Sequence, residues 1–291
     1  MVNFLKFKKI YFIISGTLIT LGLLSVIIWG FKFSIDFSGG TNIEYKINKN
    51  IASQEVKNIL SKNKIAVLEY SQKNNIILVR ARPVNEQTER VFRADLEKTG
   101  VTVTPLRFET VGPVIGKEAM NKTFVAAGIA IFAILLYMSF AFKGYTFALA
   151  AVLAMVHDFL VLLGVYAIAS HFFGAEIDPL FVTAVLTTMS FSVHDTIVVF
   201  DKIREYRRTQ GSSNIEYFAN KALTETLVRS LNNSMTIVFM LLALVLLGGS
   251  TIRFFSLALL IGTITGTYSS PFIATPLVVW LEKKRVRKNS R

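Results

Sequence analysis

The chain has 291 residues, 32 Lys and Arg against 19 Asp and Glu, a formal net charge of +13, and 52% hydrophobic residues; its mean hydropathy is +0.50. It contains no cysteine, which excludes disulfides and thiolate metal sites, and soluble domains seldom reach so apolar a composition. A basic excess of this size suits either nucleic acid or the flanks of membrane spans, and the placement of the charges decides between them.

A helix needs about 20 apolar residues to cross a bilayer. Lys6, Lys8 and Lys9 precede the first such run, residues 10–31. That run is too long for a signal h-region and no small-residue cleavage site closes it, so residues 1–31 are expected to hold a short N-terminus and span 1.

Residues 32–121 read as a folded domain between spans 1 and 2. "GTNIEYKI" alternates as a strand, and "ASQEVKNILSKN" sets Val56, Ile59 and Leu60 on one helical face. "IAVLEYS" and "NNIILVRAR" are expected strands around the turn-like "QKNN". In "NEQTERVFRADLEKTG", Asn85 caps a helix, Val91, Phe92 and Leu96 form its apolar face, and Gly100 stops it. "VTVTPLRFETV" closes the series as a strand. The order βαββαβ is that of an α+β ferredoxin-like unit. It carries no His and only scattered acids. A plain packed domain and a surface that touches a passing partner both fit.

Five more spans are expected over residues 122–281, at 123–142, 145–173, 179–200, 230–248 and 254–281, with a loop at about 201–229 and a basic tail at 282–291. The fold class is therefore a polytopic α-helical membrane protein with six transmembrane helices. Lys143, the loop residues Lys202, Arg204, Arg207, Arg208 and Lys221, and the tail residues Lys283, Lys284, Arg285, Arg287, Lys288 and Arg291 all fall on the side of the N-terminus. The short segments opposite carry one Arg, Arg253. The positive-inside rule then places both termini in the cytoplasm and accounts for most of the basic excess, so nucleic acid becomes the weaker reading.

Charged groups at membrane depth cost roughly 2.5–3.5 kcal/mol each and default to functional candidates. "AMVHDFLVLLG" places His157 and Asp158 in span 3; "FSVHDTIVVF" places His194 and Asp195 in span 4. Five uncharged residues separate Asp195 from Asp201, about 7–9 Å of helix, so Asp195 lies below the rim. Thr188, Ser192 and Asp195 share one face by spacing. Arg229, Asn232, Asn233 and Thr236 open span 5. Arg229 either anchors the span at the rim or turns inward to a carboxylate, and an Asp195–Arg229 pair released by protonation is a proton-driven switch. Asp158 is open between coupling and interhelical hydrogen bonding. Gly262, Gly266 and Ser270 form a small-residue row suited to close helix packing. Neither GxxxxGK[ST] nor HExxH occurs, so no nucleotide site, metal site or enzymatic activity is expected.

Five motifs together resemble one family: "IDFSGGTNIEY" (35–45), "VGPVIGKE" (111–118), "FSVHDTIVVFDKIRE" (191–205), "ALTETLVRSLNNSMT" (222–236) and "FSLALLIGTITGTYSS" (255–270). The chain is similar, over nearly all its length, to the SecF branch of the SecD/SecF family, which is related to RND-type transporters. The resemblance implies half of such a transporter, with a SecD-like subunit supplying the other half. It also implies partnership with the SecY/SecE/SecG translocon, a preprotein substrate, and late-stage export across the inner membrane driven by the proton-motive force, or by sodium, without a bound cofactor. It assigns proton coupling to Asp195, with Arg229 and Asp158 in support. Ser190, Phe191 and His194 stand where the usual form has Gly, Tyr and Asn, which makes His194 a candidate modulator, and Lys202 stands for Arg. The rival readings are half of a small-molecule efflux transporter, disfavoured by the single outer unit, and a passive scaffold.

Overall fold

A computed structural model describes residues 2–142, 144–211 and 214–289. The chain forms two compact units, Phe33–Val125 and the remainder.

In the first unit a short helix, α2 (Ile35–Ser38), precedes β2 (Gly40–Ile47), α3 (Ser53–Lys62), β3 (Val67–Lys73), β4 (Ile76–Ala81), α4 (Glu86–Glu97) and β5 (Val103–Val111); a two-residue β1 (Lys32–Phe33) comes before α2. The sheet order is β3-β4-β2-β5 with every neighbour antiparallel. That is the ferredoxin-like arrangement, in which each helix crosses over an inserted strand. Alternate residues Ile43, Tyr45 and Ile47 of β2 and Ile77, Val79 and Ala81 of β4 meet Val56 and Leu60 of α3 and Phe92 and Leu96 of α4 in one core, as the two-residue period of a strand requires. The "QKNN" turn closes through Asn74 and Asn75, both at positive φ, where Asn is tolerated. Asn85 caps α4 by accepting from the Thr88 N–H at 2.8 Å.

One expected core residue is displaced. Val91 is exposed, and Glu89 takes the inward position with Phe92 and Leu96. Those three fall at i, i+3 and i+7, one face of a helix, and Glu89 is accommodated because Tyr45 Oη donates to it at 2.5 Å.

The second unit comprises α1 (Lys8–Trp29), the end of α5 (Pro113–Ala141), α6 (Tyr145–Phe173), a two-residue β6 (Glu176–Ile177), α7 (Pro179–Gln210), α8 (Ile215–Leu247), α9 (Ser250–Ser269) and α10 (Thr275–Asn289). A π turn, Ser270–Ala274, joins α9 to α10. Pro271 lacks the N–H that would continue the α-helical ladder, and the extra residue absorbs the break; Thr275 Oγ1 donates to the Ser270 carbonyl at 2.9 Å. Among the described residues six helices are long and apolar enough to cross a membrane, the α9–α10 pair counting as one.

Burial sorts these helices. α6, α7 and α9–α10 are half or more buried over their apolar windows, whereas α5 and α8 bury few residues over theirs. α1 crosses α6 where Gly22 meets Gly164; a Cβ on either would lie within 3 Å of the other's Cα, so only hydrogen side chains permit that approach.

The segment expected as a loop at 201–229 is instead helical for most of its length, α7 running on to Gln210 and α8 starting at Ile215. Its charges pair along α7, Lys202 to Glu205 at 3.1 Å and Arg204 to Asp201, and Ile203 and Tyr206 stay buried with Phe218, Ala222 and Leu223 of α8. The helical apolar period therefore continues past the end of the hydrophobic span. Likewise the basic tail at 282–291 begins as a packed continuation of α10, with Glu282 buried.

Candidate functional site

The α7–α9 seam sets the register of the bundle. A Cβ on Gly262 would meet the Thr188 side chain, and one on Gly266 would lie 3.0 Å from Ser192 Cβ. Four residues on, Ser270 Oγ and Thr196 Oγ1 are 2.9 Å apart. The row Gly262, Gly266, Ser270 thus runs alongside the row Thr188, Ser192, Thr196, one partner per turn. Close backbone approach of this kind lets short hydroxyls bridge helices.

Asp158 of α6 is buried against that seam. Ser192 Oγ of α7 donates to its Oδ2, Ser269 Oγ of α9 donates to the same oxygen at 2.6 Å, and His157 Nδ1 lies 2.8 Å from Oδ1. The carboxyl thus joins three helices. Its neighbour His157 is buried too, and the ring's Nε2 has no hydrogen-bond partner.

Asp195 is buried as well but faces elsewhere. Its Oδ2 accepts from Ser230 Oγ of α8 at 2.5 Å. The spacing argument grouped Asp195 with Thr188 and Ser192; the residue that continues their row is Thr196, and Asp195, one position earlier, is turned by about 100° toward α8. Beside it lies a cavity of about 270 Å³ lined by His194, Asp195, Thr226, Arg229, Ser230 and Asn233, among others. A second cavity, of about 460 Å³, shares Val198, Thr226 and Arg229 as walls and reaches Asp201, Lys202, Glu205 and Glu225 at the charged ends of α7 and α8. One thus lies beside the buried carboxyl and the other at the charged end of the bundle, with Arg229 on the wall of both.

Asp195 and Arg229 are brought to one cavity without forming an ion pair within 4.0 Å, the Arg229 side chain being exposed. His194 is exposed on the same wall. Asp158 stands apart, bonded to α7 and α9 and absent from that cavity's lining. Among the described residues no group of three or more His, Asp or Glu is placed to hold a metal ion.

Ser230 and Glu282 carry no signal in the sequence that marks them for the site. Serines in spans are common and carry no periodic signal. Glu282 stood among lysines and arginines, which hid it; it accepts from Thr146 and pairs with Arg207 at 2.8 Å and Arg285 at 3.3 Å.

The family model described as protein export membrane protein SecD/SecF, C-terminal, matches residues 91–284, and the SecD/SecF GG motif matches residues 29–51. The chain belongs to the SecD/SecF family. Similar relatives include the protein translocase subunits SecF of Thermobaculum terrenum, 38% identical over 98% of this chain and 95% of that one, and of Anaerolinea thermophila, 37% identical over 96% and 94%. The crystal structure of SecDF, a translocon-associated membrane protein from Thermus thermophilus, superposes with a TM-score of 0.83 at 31% identity, covering 97% of this chain and 39% of that one. The chain therefore spans about two-fifths of a SecDF chain.

The SecD/SecF GG motif has a physical basis here. Gly39 and Gly40 both sit at positive φ, and a Cβ on Gly39 would lie 2.7 Å from Pro113 Cα, while one on Gly40 would lie 2.9 Å from the Ala81 carbonyl oxygen. No other residue satisfies both demands. As SecD/SecF relatives, the proteins it matches are translocase subunits, a transport role, and the six apolar helices make this chain a membrane protein.

Proposed function

We propose that this chain acts with a SecD-like partner beside the SecY/SecE/SecG translocon, promoting late-stage movement of preproteins across the inner membrane at the expense of the proton-motive force, with both termini cytoplasmic. The observation that carries the reading is Asp195: a buried carboxyl with one hydroxyl partner, beside cavities leading to the charged end of the bundle. A carboxyl so placed is within reach of the charged end of the bundle and tied by its hydroxyl partner to α8, so its state bears on how α7 and α8 pack. Arg229, on the wall of both cavities, supplies the positive charge beside it. Asp158, tied to α6, α7 and α9 together, senses any sliding between them and is assigned the supporting role. The exposed apolar faces of α5 and α8 are the surface a second half-transporter would cover.

The test is ion flux in liposomes holding the chain with its SecD-like partner. Wild type is expected to conduct protons under a pH gradient, and Asp195→Asn is expected to lose that flux and the gradient-dependent part of export while still assembling. Repeating the measurement with sodium identifies the ion. Unchanged export by Asp195→Asn would favour a passive scaffold. The efflux reading is not favoured, because the relatives are protein translocase subunits.

A further inference from the structure

At the charged end of the bundle, away from Asp195, lies a cavity of about 170 Å³ lined by Gly144, Phe147, Arg204, Arg207, Glu282 and Arg285. It is bounded by the start of α6, the extension of α7 past its apolar span, and the end of α10. Three arginines line it. Arg207 and Arg285 share the one buried carboxylate of Glu282, and Arg204 gives one nitrogen, Nη2, to Asp201.

The charge is incompletely balanced: three guanidiniums stand against two carboxylates. A guanidinium carries five N–H donors, and Glu282 takes a single nitrogen from each of its two arginines. The clearest sign is Arg204, whose Nη1 is buried and has no hydrogen-bond partner. A buried cationic donor left unbonded is costly, and a wall of guanidiniums is matched in shape and charge by an oxyanion with several acceptor oxygens.

Position narrows the ligand. The cavity lies where apolar spans end and basic residues begin, the depth of lipid headgroups. Tyr145 and Trp280, both exposed, stand in sequence beside Gly144 and just before Glu282, as aromatic residues do at a membrane interface. The apolar stretches of α6 and α10 lead directly from it.

We propose that this cavity is a binding site for a phosphate oxyanion, supplied by the headgroup of an anionic phospholipid, with Arg204 as the residue that distinguishes an occupied site from a mere ion-pair cluster. The lipid phosphate accepts from the guanidiniums of Arg204, Arg207 and Arg285, Arg204 turning its unbonded Nη1 toward it. Its acyl chains lie on the neighbouring apolar helix surface. A lipid held there would brace α6, α7 and α10 against one another.

The test uses the purified full-length chain in neutral detergent. Thermal unfolding and native mass spectrometry are followed with added phosphatidylglycerol, phosphatidylcholine or inorganic phosphate. Arg204→Gln is the informative variant because it leaves both Glu282 pairs intact; Lys9→Gln removes an equal charge from an exposed position outside the cavity. The site predicts retention and stabilisation by phosphatidylglycerol over phosphatidylcholine, weakened about fivefold or more by Arg204→Gln and unchanged by Lys9→Gln. Equal weakening by the two variants would overturn it in favour of diffuse surface charge. Stabilisation by inorganic phosphate without preference between lipids would overturn the lipid as source and leave free phosphate as the ligand. No response in any arm would overturn the site itself.

Discussion

Ser230 of α8 donates its hydroxyl hydrogen bond to Asp195 of α7 at 2.5 Å, and it is the contact that ties the buried carboxyl to the helix carrying Arg229. One turn along α8, Ser234 accepts from Thr267 of α9 at 2.7 Å. The Asp195 carboxyl is thereby linked to the α7–α8 contact and, through α8, to α9.

Replacing Ser230 by Ala should keep the fold and shift coupling. The lost hydrogen bond to Asp195 is worth about 1 kcal/mol and loosens the α7–α8 contact. Proton flux in reconstituted complex is expected to fall, with thermal unfolding of the full chain in detergent slightly earlier. Unchanged flux would show that the hydroxyl plays no part.

Arg229→Met should impair export with assembly preserved, because the residue borders both cavities beside Asp195. Arg229→Lys should recover part of the activity, since it keeps the charge. Full activity in the Met variant would reduce Arg229 to a rim anchor.

Gly262→Ala should destabilise the bundle by about 1–3 kcal/mol, the usual range for overpacking, because the new methyl collides with the Thr188 side chain. Adding Thr188→Ala should restore much of the loss. The four-variant cycle, read by thermal unfolding in detergent, is expected to show strong coupling; additive effects would count against the seam.

Glu282→Gln should cost about 2 kcal/mol, less than a fully buried pair because Arg285 is half exposed. Thermal unfolding of the full chain measures it. A neutral result would mean the amide replaces both ion pairs at no loss.

Acid should loosen the ferredoxin-like unit. Hydrogen bonds from Lys98, then from Lys62 and Asn63, hold the Asp95 carboxyl well below the ordinary carboxylate value. Depression of a carboxyl pKa on folding means stability that is present above the unfolded value, near 4, and lost as pH falls through the folded value. Hydrogen exchange in α3 and α4 should quicken below about pH 4, and Asp95→Asn should remove that dependence while lowering protection at neutral pH.

Much of this was legible beforehand because the signals are local. Asn85 announced its helix, "QKNN" its turn, and the apolar runs their spans, since capping, turn chemistry and lipid solvation act on neighbouring residues. Val91 was misplaced because helix phase depends on which face meets the sheet, and Tyr45 is what makes Glu89 acceptable inside. The charged stretch after Phe200 looked like a loop because hydropathy averages over a window and overlooks the buried Ile203 and Tyr206.

The membrane spans, the βαββαβ unit after the first of them, and the unusual charges Asp158, Asp195 and Arg229 are written into the order of residues, because burying apolar side chains and exposing charged ones leaves a mark on consecutive positions. Packing alone settles that Asp195 turns to Ser230 while Asp158 turns to Ser192 and Ser269, that Gly22 touches Gly164, and that Glu282 gathers Arg207 and Arg285. Those choices depend on helix rotation and register, which are set by contacts summed over whole helices and leave no trace at any one position.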